Sequence, residues 1–574
     1  MTRAVWPLAI AGMSLASTSG ALGQQAHPEA NSFRSEIFVG TQPENYLRYL
    51  QTSGLVRLYP WSSRTFSPRE LDRLMPRDTT HPWRDRFQPS PRRFHGVQYD
   101  FVRPTMSFRY NTGFPFGTND GPIWAGRGLT SAVQLGIAAR LGPLSVSLVP
   151  MAFRAENRYV YVRPTTLQGP ASFSNAQFGD VDYPQRFGDI PYSQLDPGQS
   201  TVRVDLPIIS IGASTANMGW APGTEYPLLI GNNAAGFPHV FLGSSAPINV
   251  FVAKIHGKVM WARLAQSEFS TVTGPSEYTS RAEPGRKRFA TGIVVTAQPR
   301  GIPGLEIGGA RFFHSIWPRS GLPRSYFTKA LQVFLKKDIP FDRPNDPRFP
   351  LEFGGRGIAD NQLVEVFVRW VLPRSGLELA AEYGREDHSE VARELLEEPD
   401  HSRSYNIGMR KIFSFSSTSM TAGRIEVINF QKGTLDRYRP QGAIYGHGLI
   451  RQGHTHRGQL LGADVGVGAA AGSIVAVDHY ARTGRWTLSW TRDLKQENGT
   501  FQRDLKQEDG IFQAFGERKP MSMDVTHAFG FEMTRFMRGF DVTTGFTFVR
   551  NFNRLFIADA ANINALVGVR YNVR

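Results

Sequence analysis

Apolar and polar residues alternate with a period of two along most of the chain after residue 96. The segment 362–371 places its valines and Trp370 on one side and Glu365 and Arg369 on the other. The last segment, from Ile563 to Val573, alternates in the same way. This period is typical of a β-strand with two different faces. The pattern therefore predicts an all-β protein.

The connections between these segments alternate between short and long. Short ones lie at 141–143, 373–376, 414–417 and 482–484, and long ones at 153–200, 313–361 and 385–403. A membrane barrel has short turns at one end and long loops at the other, whereas a soluble sandwich has short connections at both. We therefore predict a transmembrane antiparallel β-barrel over residues 96–574, with stacked soluble β-domains as the alternative. We expect about 18 strands, with 16 as the alternative, because bacterial barrels have even numbers.

The first 23 residues have the composition of a secretory signal peptide. Arg3 precedes an apolar stretch over 4–16, and small residues follow up to a cleavage box at 21–23. The apolar stretch is too short for a membrane-spanning helix. We therefore expect cleavage of this segment, and export to the outer membrane of a Gram-negative-type cell.

Residues 24–95 have a helical pattern instead of alternation. The stretch 43–53 carries leucines on one side and ends before Gly54, which is a helix stop signal. Ser67, Pro68 and Glu70 have the spacing of a capping box with proline in the first turn. We predict a small helical module that precedes the barrel and lies in the periplasm, against the lower barrel mouth. The alternative is a disordered leader.

The composition excludes the protein classes that need cysteine, and it shows an excess of positive charge. The chain has no cysteine, which excludes disulfide scaffolds, zinc ribbons, iron–sulfur proteins and thiol enzymes. It carries 65 Lys+Arg against 49 Asp+Glu, a net charge of +16. Some arginines fall on the polar face of strands, namely Arg369, Arg410, Arg485 and Arg570. They would bias the lumen towards anions, or they would form balanced ion pairs; the sequence leaves both open.

The chain shows little sign of catalysis. It contains no GxxxxGK[ST], HExxH or GxSxG motif. His447, His454 and His456 lie close together without carboxylates at ligand spacing, so a solvated loop is expected in preference to a metal site. We therefore predict a non-enzymatic protein with no cofactor and no metal. Nucleic acid is not an expected partner of an exported barrel.

A tandem repeat interrupts the alternation near the C-terminus. RDLKQENGTFQ at 492–502 is followed at once by RDLKQEDGIFQ at 503–513, with nine of eleven positions identical. Each copy contains a turn dipeptide, Asn-Gly or Asp-Gly. We expect the repeat to lengthen an external loop, because two identical units cannot both hold one register against the same neighbours.

The most distinctive segment follows an apolar strand and runs from residue 219 to 238. It reads GWAPG, then PLLIGNNAAGFP. Together with the signal peptide and the helical region at 46–76, it resembles the Wzi family of outer-membrane capsule assembly proteins. The residues that match most specifically are Trp220, Pro222, Gly223, Asn232, Asn233, Phe237 and Pro238. Two weaker matches are Asn361-Gln362-Leu363 and the stretch 382–387.

The resemblance implies an 18-stranded barrel with a periplasmic helical module. It also implies a role in holding capsular or extracellular polysaccharide at the cell surface. Arginine would suit acidic sugars, and the barrel would contact outer-membrane lipid as a monomer. The main alternative is a channel for carbohydrates or other anionic small molecules. Within the motif, Trp220 is expected to be either a sugar platform or a packing anchor.

Overall fold

A computed structural model describes residues 33–87, 92–175, 177–178, 181–271, 287–317, 322–331, 360–386, 392–431, 442–447, 450–496 and 523–572. Antiparallel strands close into a barrel of 18, as predicted. We number them β1 Val97–Asn111, β2 Gly128–Leu141, β3 Leu144–Leu148 with Met151–Ala155, β4 Tyr192–Asp196 with Thr201–Asp205, β5 Ile209–Ser214, β6 His239–Ser244, β7 Ala253–Ala265, β8 Lys287–Pro299, β9 Leu305–Ile316, β10 Asp360–Leu372, β11 Leu377–Glu386, β12 Arg403–Phe415, β13 Ser419–Asn429, β14 Ala470–Ala481, β15 Gly484–Gln496, β16 Met523–Phe536, β17 Phe540–Arg554 and β18 Ala558–Tyr571.

The barrel closes where the last strand pairs with the first. Arg570 of β18 lies opposite Thr105 of β1, and Asn564 lies opposite Asn111. The other neighbours in the barrel are consecutive in the chain and antiparallel. Closure pairs the backbone groups that an open sheet would leave exposed at its edges.

The two faces of the barrel wall differ in polarity. Along β10, Val366, Val368 and Trp370 are exposed on the outside, whereas Glu365 and Arg369 are buried inside. The last strand follows the same rule, with an exposed face made of Ile563, Val567, Val569 and Tyr571. Apolar side chains outside and polar ones inside are the arrangement of a transmembrane barrel. The predicted fold class is confirmed.

The two ends of the barrel differ in the length of their connections. One end carries turns such as 142–143, 373–376, 416–418 and 482–483, and we name it the short-turn end. The other end, the long-loop end, carries connections such as 112–127, 156–191, 317–359 and 430–469. The alternation of short and long connections inferred from the sequence is therefore confirmed.

Residues 33–87, the N-terminal segment, contain two helices, α1 Gln42–Thr52 and α2 Pro68–Leu74. Both coincide with helices predicted from the sequence. The capping box of α2 is formed, since the Glu70 N–H donates to Ser67 Oγ at 3.0 Å and the Ser67 N–H donates to Glu70 Oε2 at 2.7 Å. Short 3-10 turns at Phe33–Glu36 and Arg84–Arg86 complete the segment.

The N-terminal segment lies within the mouth of the barrel at the short-turn end. Asn45 of α1 donates to the Tyr480 hydroxyl at 3.0 Å, and the Tyr49 hydroxyl donates to Asp478 at 3.1 Å. Tyr46 and Trp83 pack with Tyr480 of the wall in one apolar cluster. The segment and the barrel therefore share a core, and the boundary predicted between 95 and 96 stays a prediction.

The remaining described elements are short. They are α3 Arg324–Phe327, α4 Ala392–Glu397, 3-10 turns at Gly169–Phe173, Lys329–Leu331 and Pro373–Ser375, and the strands Ser63–Arg64, Arg92–Phe94, Gly219–Trp220, Ile248–Asn249, Thr455–His456 and Gln459–Leu460. None of the helices in the described ranges has the length and apolarity needed to cross a membrane.

Two sequence predictions fall wholly or partly outside the described residues. The signal peptide at 1–23 lies outside them, and so does the second copy of the tandem repeat. The first five residues of the repeat, 492–496, form the end of β15. The repeat therefore begins in a wall strand at the long-loop end.

Candidate functional site

The motif found in the sequence folds into the lumen between β5 and β6. We name residues 219–238 the inserted segment. It begins with Gly219–Trp220, which pairs with Ser63–Arg64 of the N-terminal segment. Trp220 is 1% exposed and contacts the ring of Phe312 edge-on, with 6.3 Å between ring centroids. This burial supports the packing anchor among the two roles left open for Trp220, because stacking on a ligand needs an exposed ring face.

Three charged side chains hold the turn at Pro222 and Gly223. Arg48 donates to the Pro222 carbonyl at 2.8 Å, and Arg64 donates to the Gly223 carbonyl at 2.6 Å. The Gly223 N–H donates to the carboxylate of Glu382 on β11. A Cβ on residue 223 would lie 2.7 Å from the same carboxylate, so this close approach requires glycine.

Glu426 of β13 fixes the residues that follow. Its carboxylate accepts the backbone N–H groups of Thr224 at 3.1 Å, Glu225 at 3.3 Å and Tyr226 at 2.7 Å. Asn406 of β12 donates to this carboxylate at 3.0 Å. The alternation of the sequence did not indicate which loop the polar face of β12 would meet, and the sequence analysis missed Glu426.

Asn232 and Asn233 join the inserted segment to the loops at the long-loop end. The side-chain amide of Asn232 donates to the backbone carbonyl of Asn119 at 2.7 Å. The backbone carbonyl of Asn232 accepts the Gly121 N–H at 2.7 Å. Asn233 donates to the Leu460 carbonyl at 3.0 Å. The two side chains thus bind backbone groups of two different loops, which explains why amides are needed there.

Phe237 and Pro238 lead the chain back into the wall. Phe237 is buried, and its ring lies 6.0 Å from that of His456. The Pro238 carbonyl accepts the Arg263 N–H of β7 at 3.0 Å. The seven motif residues therefore fix the position of the inserted segment.

The four arginines singled out from the sequence all have carboxylate partners. The nitrogen-to-oxygen distances are 2.7 Å for Arg369–Glu378, 3.9 Å for Arg410–Glu378, 3.4 Å for Arg485–Asp478 and 3.4 Å for Arg570–Glu36. These contacts match the second alternative, balanced ion pairs. Glu36 lies outside the wall strands; burial alone would raise its pKa, but Arg103 and Arg570 lower it below the ordinary value.

A cavity of about 250 Å³ lies at the long-loop end, above the inserted segment. We name it the upper cavity. Its walls are the loops 112–127, 156–191 and 458–467 and the upper ends of β15, β16 and β17. Asn233 contributes to its lining, so the cavity rests directly on the inserted segment.

Aromatic rings line the upper cavity together with polar groups. The half-buried rings are Phe116, Trp124, Phe178, Tyr183 and Phe556. Amides come from Asn175, Gln177, Gln185 and Gln459. The Trp124 ring is held in place by Phe187, with 5.0 Å between centroids. Concave sites with aromatic walls and a few placed polar groups are the usual form of small-ligand sites.

Two carboxylates of the upper cavity are each held at one oxygen. The Tyr183 hydroxyl donates to Asp464 Oδ1 at 2.7 Å, and the Tyr226 hydroxyl donates to Asp493 Oδ1 at 2.8 Å. The second oxygen of each has no hydrogen bond to a described residue. Burial raises the pKa of Asp464 above its ordinary value, although Lys495 and the Tyr183 hydroxyl oppose the rise.

The rim of the upper cavity contains strained backbone. Leu555 and Phe556 have φ of 54° and 60°, a left-handed conformation that side chains with a Cβ rarely adopt. Both residues line the cavity, in the turn between β17 and β18. Such strain persists only where surrounding contacts impose it, and it is concentrated at binding sites.

The histidine group is packed inside the lumen. His454 and His456 are buried, so the solvated loop expected from the sequence is wrong for these two residues. His454 shares a hydrogen bond of 2.6 Å with the Leu229 carbonyl, and burial lowers its pKa to about 4. Within the described ranges, no group of three or more His, Cys, Asp or Glu has a metal-binding arrangement.

No protein-family model and no curated protein sequence matches the chain. Among solved structures, it is similar to Wzi of Escherichia coli, an outer membrane protein involved in group 1 capsule assembly and described as a carbohydrate-binding β-barrel. The TM-score is 0.55 at 12% identity, over 93% of this chain and 98% of that one. The fold implied by the Wzi resemblance is thereby confirmed.

Two porins are more distant in structure. OccD3 (OpdP) of Pseudomonas aeruginosa gives a TM-score of 0.37 at 9% identity, over 84% of this chain and 92% of that chain. A BenF-like porin from Pseudomonas fluorescens Pf-5 gives 0.36 at 9% identity, over 83% and 99%.

Proposed function

We propose that this protein is a non-enzymatic outer-membrane barrel that binds capsular or extracellular polysaccharide at the cell surface. The long-loop end is the extracellular end, since outer-membrane barrels carry their long loops outside. The observation that carries the proposal is the upper cavity, where half-exposed aromatic rings stand beside carboxylate and amide groups at that end. The description of Wzi as a carbohydrate-binding barrel supports the same conclusion.

The chemistry of the upper cavity suits a sugar ring. A pyranose has an apolar C–H face and a rim of hydroxyl groups. Trp124 offers a half-exposed ring for the apolar face. Asp464 and Asp493 each offer one carboxylate oxygen as an acceptor for hydroxyl groups. A site of this kind binds through shape and hydrogen bonds, with no bond broken.

The filling of the lumen favours a binding protein over the channel that the sequence left as an alternative. The N-terminal segment occupies the short-turn end, and the inserted segment spans the middle of the lumen. Buried side chains from both pack against the inner wall, as Arg48 does on Glu378 at 2.6 Å. Continuous passage would require displacement of both.

The proposal is tested by binding of oligosaccharides from the cell's own surface polysaccharide to purified protein, measured by calorimetry. Trp124→Ala should weaken binding about fivefold, because a stacked ring contributes on the order of 1 kcal/mol. Asp493→Asn should weaken it as well, since the amide offers one acceptor oxygen in place of two. The same variants should shed polysaccharide from intact cells.

Matched substitutions outside the cavity serve as controls. Trp486→Ala removes an indole from the wall, where it stacks on His479 with 5.3 Å between centroids. Asp85→Asn changes an exposed carboxyl at the short-turn end. Both should bind oligosaccharide as the wild type does. Equal loss in Trp124→Ala and Trp486→Ala, or no binding by the wild type, would contradict the proposal.

A further inference from the structure

A second cavity lies at the opposite end of the lumen. It has a volume of about 160 Å³ and lies between the N-terminal segment and the inner face of β1 to β7. We name it the lower cavity. Ile37, Val39 and Phe241 give it an apolar side, and Ser145 and Lys258 give it a polar side. The function proposed above makes no use of this cavity.

Lys258 of β7 places a buried ammonium group at the lower cavity. The residue is 9% exposed, and its Nζ donates to Thr65 Oγ1 at 3.2 Å. The same Nζ lies 5.0 Å from the ring centroid of Phe241. No described carboxylate lies within ion-pair distance of it. Buried lysines are almost always paired with an anion, and an ammonium has three donors to satisfy.

Of the other charged groups in the lining, Arg203 and Glu44 have partners of opposite charge, and Asp100 accepts the Phe101 N–H at 2.9 Å. Arg203, whose guanidinium lies 5.3 Å from the centroid of the Phe241 ring, is paired with Asp205 at 2.8 Å. Glu44 accepts the Gly40 N–H at 2.7 Å and faces Arg64 at 3.6 Å. Lys258 is therefore the cation of the lower cavity that lacks a carboxylate partner in the described part of the chain.

A hydroxyl group beside this region is also without a partner. Ser145 of β3 lines the lower cavity and is 6% exposed. Its Oγ makes no hydrogen bond to a described residue. A hydroxyl donor and an ammonium donor in one cavity are complementary to a ligand that supplies acceptor oxygens.

A basic vestibule at the short-turn end adjoins the lower cavity. This larger space, about 840 Å³, shares Arg34, Gln98 and Arg140 with the lining of the lower cavity. Its charged residues include two aspartates, Asp72 and Asp78, and five arginines, Arg34, Arg77, Arg84, Arg93 and Arg140. Such an excess of positive charge concentrates anions at the mouth.

We propose that the lower cavity binds a small organic anion carrying a carboxylate or phosphate group, which enters through the vestibule from the short-turn end. The anionic group would accept hydrogen bonds from Lys258 and Ser145, and the apolar part of the ligand would rest on Phe241 and Val39. This site is separate from the upper cavity, because the inserted segment lies between them. It does not depend on polysaccharide binding.

The test is calorimetry on the full-length protein in detergent with sodium butyrate, butyl phosphate and the uncharged 1-butanol, none of which contains the sugar ring that the upper cavity would bind. Wild type should bind at least one of the two anions and not 1-butanol, and the anion bound identifies the carboxylate or the phosphate as the preferred group. Lys258→Met should weaken anion binding tenfold or more, because charge-assisted hydrogen bonds are strong. Lys411→Met is the matched control, since Lys411 donates to the Ser375 carbonyl outside the cavity.

A second variant covers the case in which Lys258→Met fails to fold. Ser145→Leu leaves the charge in place and fills part of the cavity from β3, so it should abolish anion binding. The proposal would be overturned if the wild type bound neither anion. It would also be overturned if the folded cavity variants bound the anion with the same affinity as the wild type. Equal binding of butyrate and 1-butanol would overturn it too, because charge would then play no part.

Discussion

The two ends of the lumen are closed by different kinds of contact. At the short-turn end, Tyr46, Trp83 and Tyr480 stack with full burial, and Arg48 forms an ion pair with Glu378 at 2.6 Å. At the long-loop end, side chains such as Asn232 bind the backbone of loops, and aromatic rings such as Trp124 stay half exposed. The first closure has the character of a protein core, and the second has the character of a binding surface.

This difference shows which end the fold holds rigid. Buried aromatic stacks and paired buried charges are costly to disrupt, so the N-terminal segment is fixed in its mouth. The inserted segment next to the upper cavity is held by Glu382 and Glu426, while the aromatic side chains of the cavity are half exposed. A rigid floor with exposed walls is what a binding site for an external ligand requires.

The largest effect is expected from removal of both segments that fill the lumen, by deletion of residues 33–87 and replacement of residues 219–238 with a short linker. Their loss would expose charged residues of the inner wall to water and leave the lumen open from end to end. Single-channel recording should show no steady conductance for the wild type and measurable conductance for this variant. Steady conductance by the wild type would mean that the described closure does not hold in a bilayer.

A large loss of stability is expected from Glu378→Ala. The change leaves Arg48 and Arg369, both buried, without their shared carboxylate, and such losses cost about 3–5 kcal/mol. Urea unfolding followed by heat-modifiable gel migration would measure it. Arg550→Ala, which breaks the exposed pair with Asp559, should cost less than about 1 kcal/mol. If both variants lost a similar free energy of unfolding, the buried ion pairs at the short-turn end would not hold that end more firmly than exposed pairs do.

Acid should weaken the short-turn closure through Glu70. Burial would raise its pKa, but the His256 hydrogen bond at 3.2 Å, Arg203 and the Ser67 N–H lower it to about 2, against an ordinary 4.5. Because the folded pKa is the lower one, the stability is present above pH 4.5 and is lost as pH falls towards 2. The stability difference between wild type and Glu70→Gln should shrink by roughly 3 kcal/mol over this range. A constant difference would contradict the assignment.

Salt should separate the two cavities. The charged groups that line the upper cavity are balanced. Three are positive and three are negative: Arg163, Lys495 and Arg554, and Asp464, Asp493 and Asp524. A further lining residue, Asp120, forms an ion pair with Arg109. Oligosaccharide binding should therefore change little between about 0.05 and 0.5 M NaCl, whereas anion binding at the lower cavity should weaken. Steep salt dependence of oligosaccharide binding would favour the acidic polysaccharide expected from the arginine content.

The smallest effect is expected from deletion of residues 503–513. The first repeat copy already completes β15 at Gln496, so the second copy is not needed for the register of the wall. Heat-modifiable migration and membrane insertion should match the wild type. A deletion variant that fails to insert would show that the second copy pairs as a strand.

Much of the fold could be predicted because the strands and turns of a barrel are determined largely by residues close together in the sequence. Alternation at 362–371 and turn lengths such as 373–376 depend only on neighbouring residues, and so does the capping box at Ser67. The candidate binding site could not be predicted from such local patterns. Glu426 and Trp124 acquire their roles from contacts with loops far away in sequence, and the motif at 219–238 indicated a position in the fold rather than a ligand.

The most direct test of the central claim is hydroxyl-radical footprinting of the protein with and without its surface polysaccharide. Our account predicts protection of Trp124, Tyr183 and Phe556, with Trp83 at the short-turn end unchanged. Protection confined to the outer wall or the short-turn end, with Trp124 equally reactive in both samples, would contradict polysaccharide binding in the upper cavity.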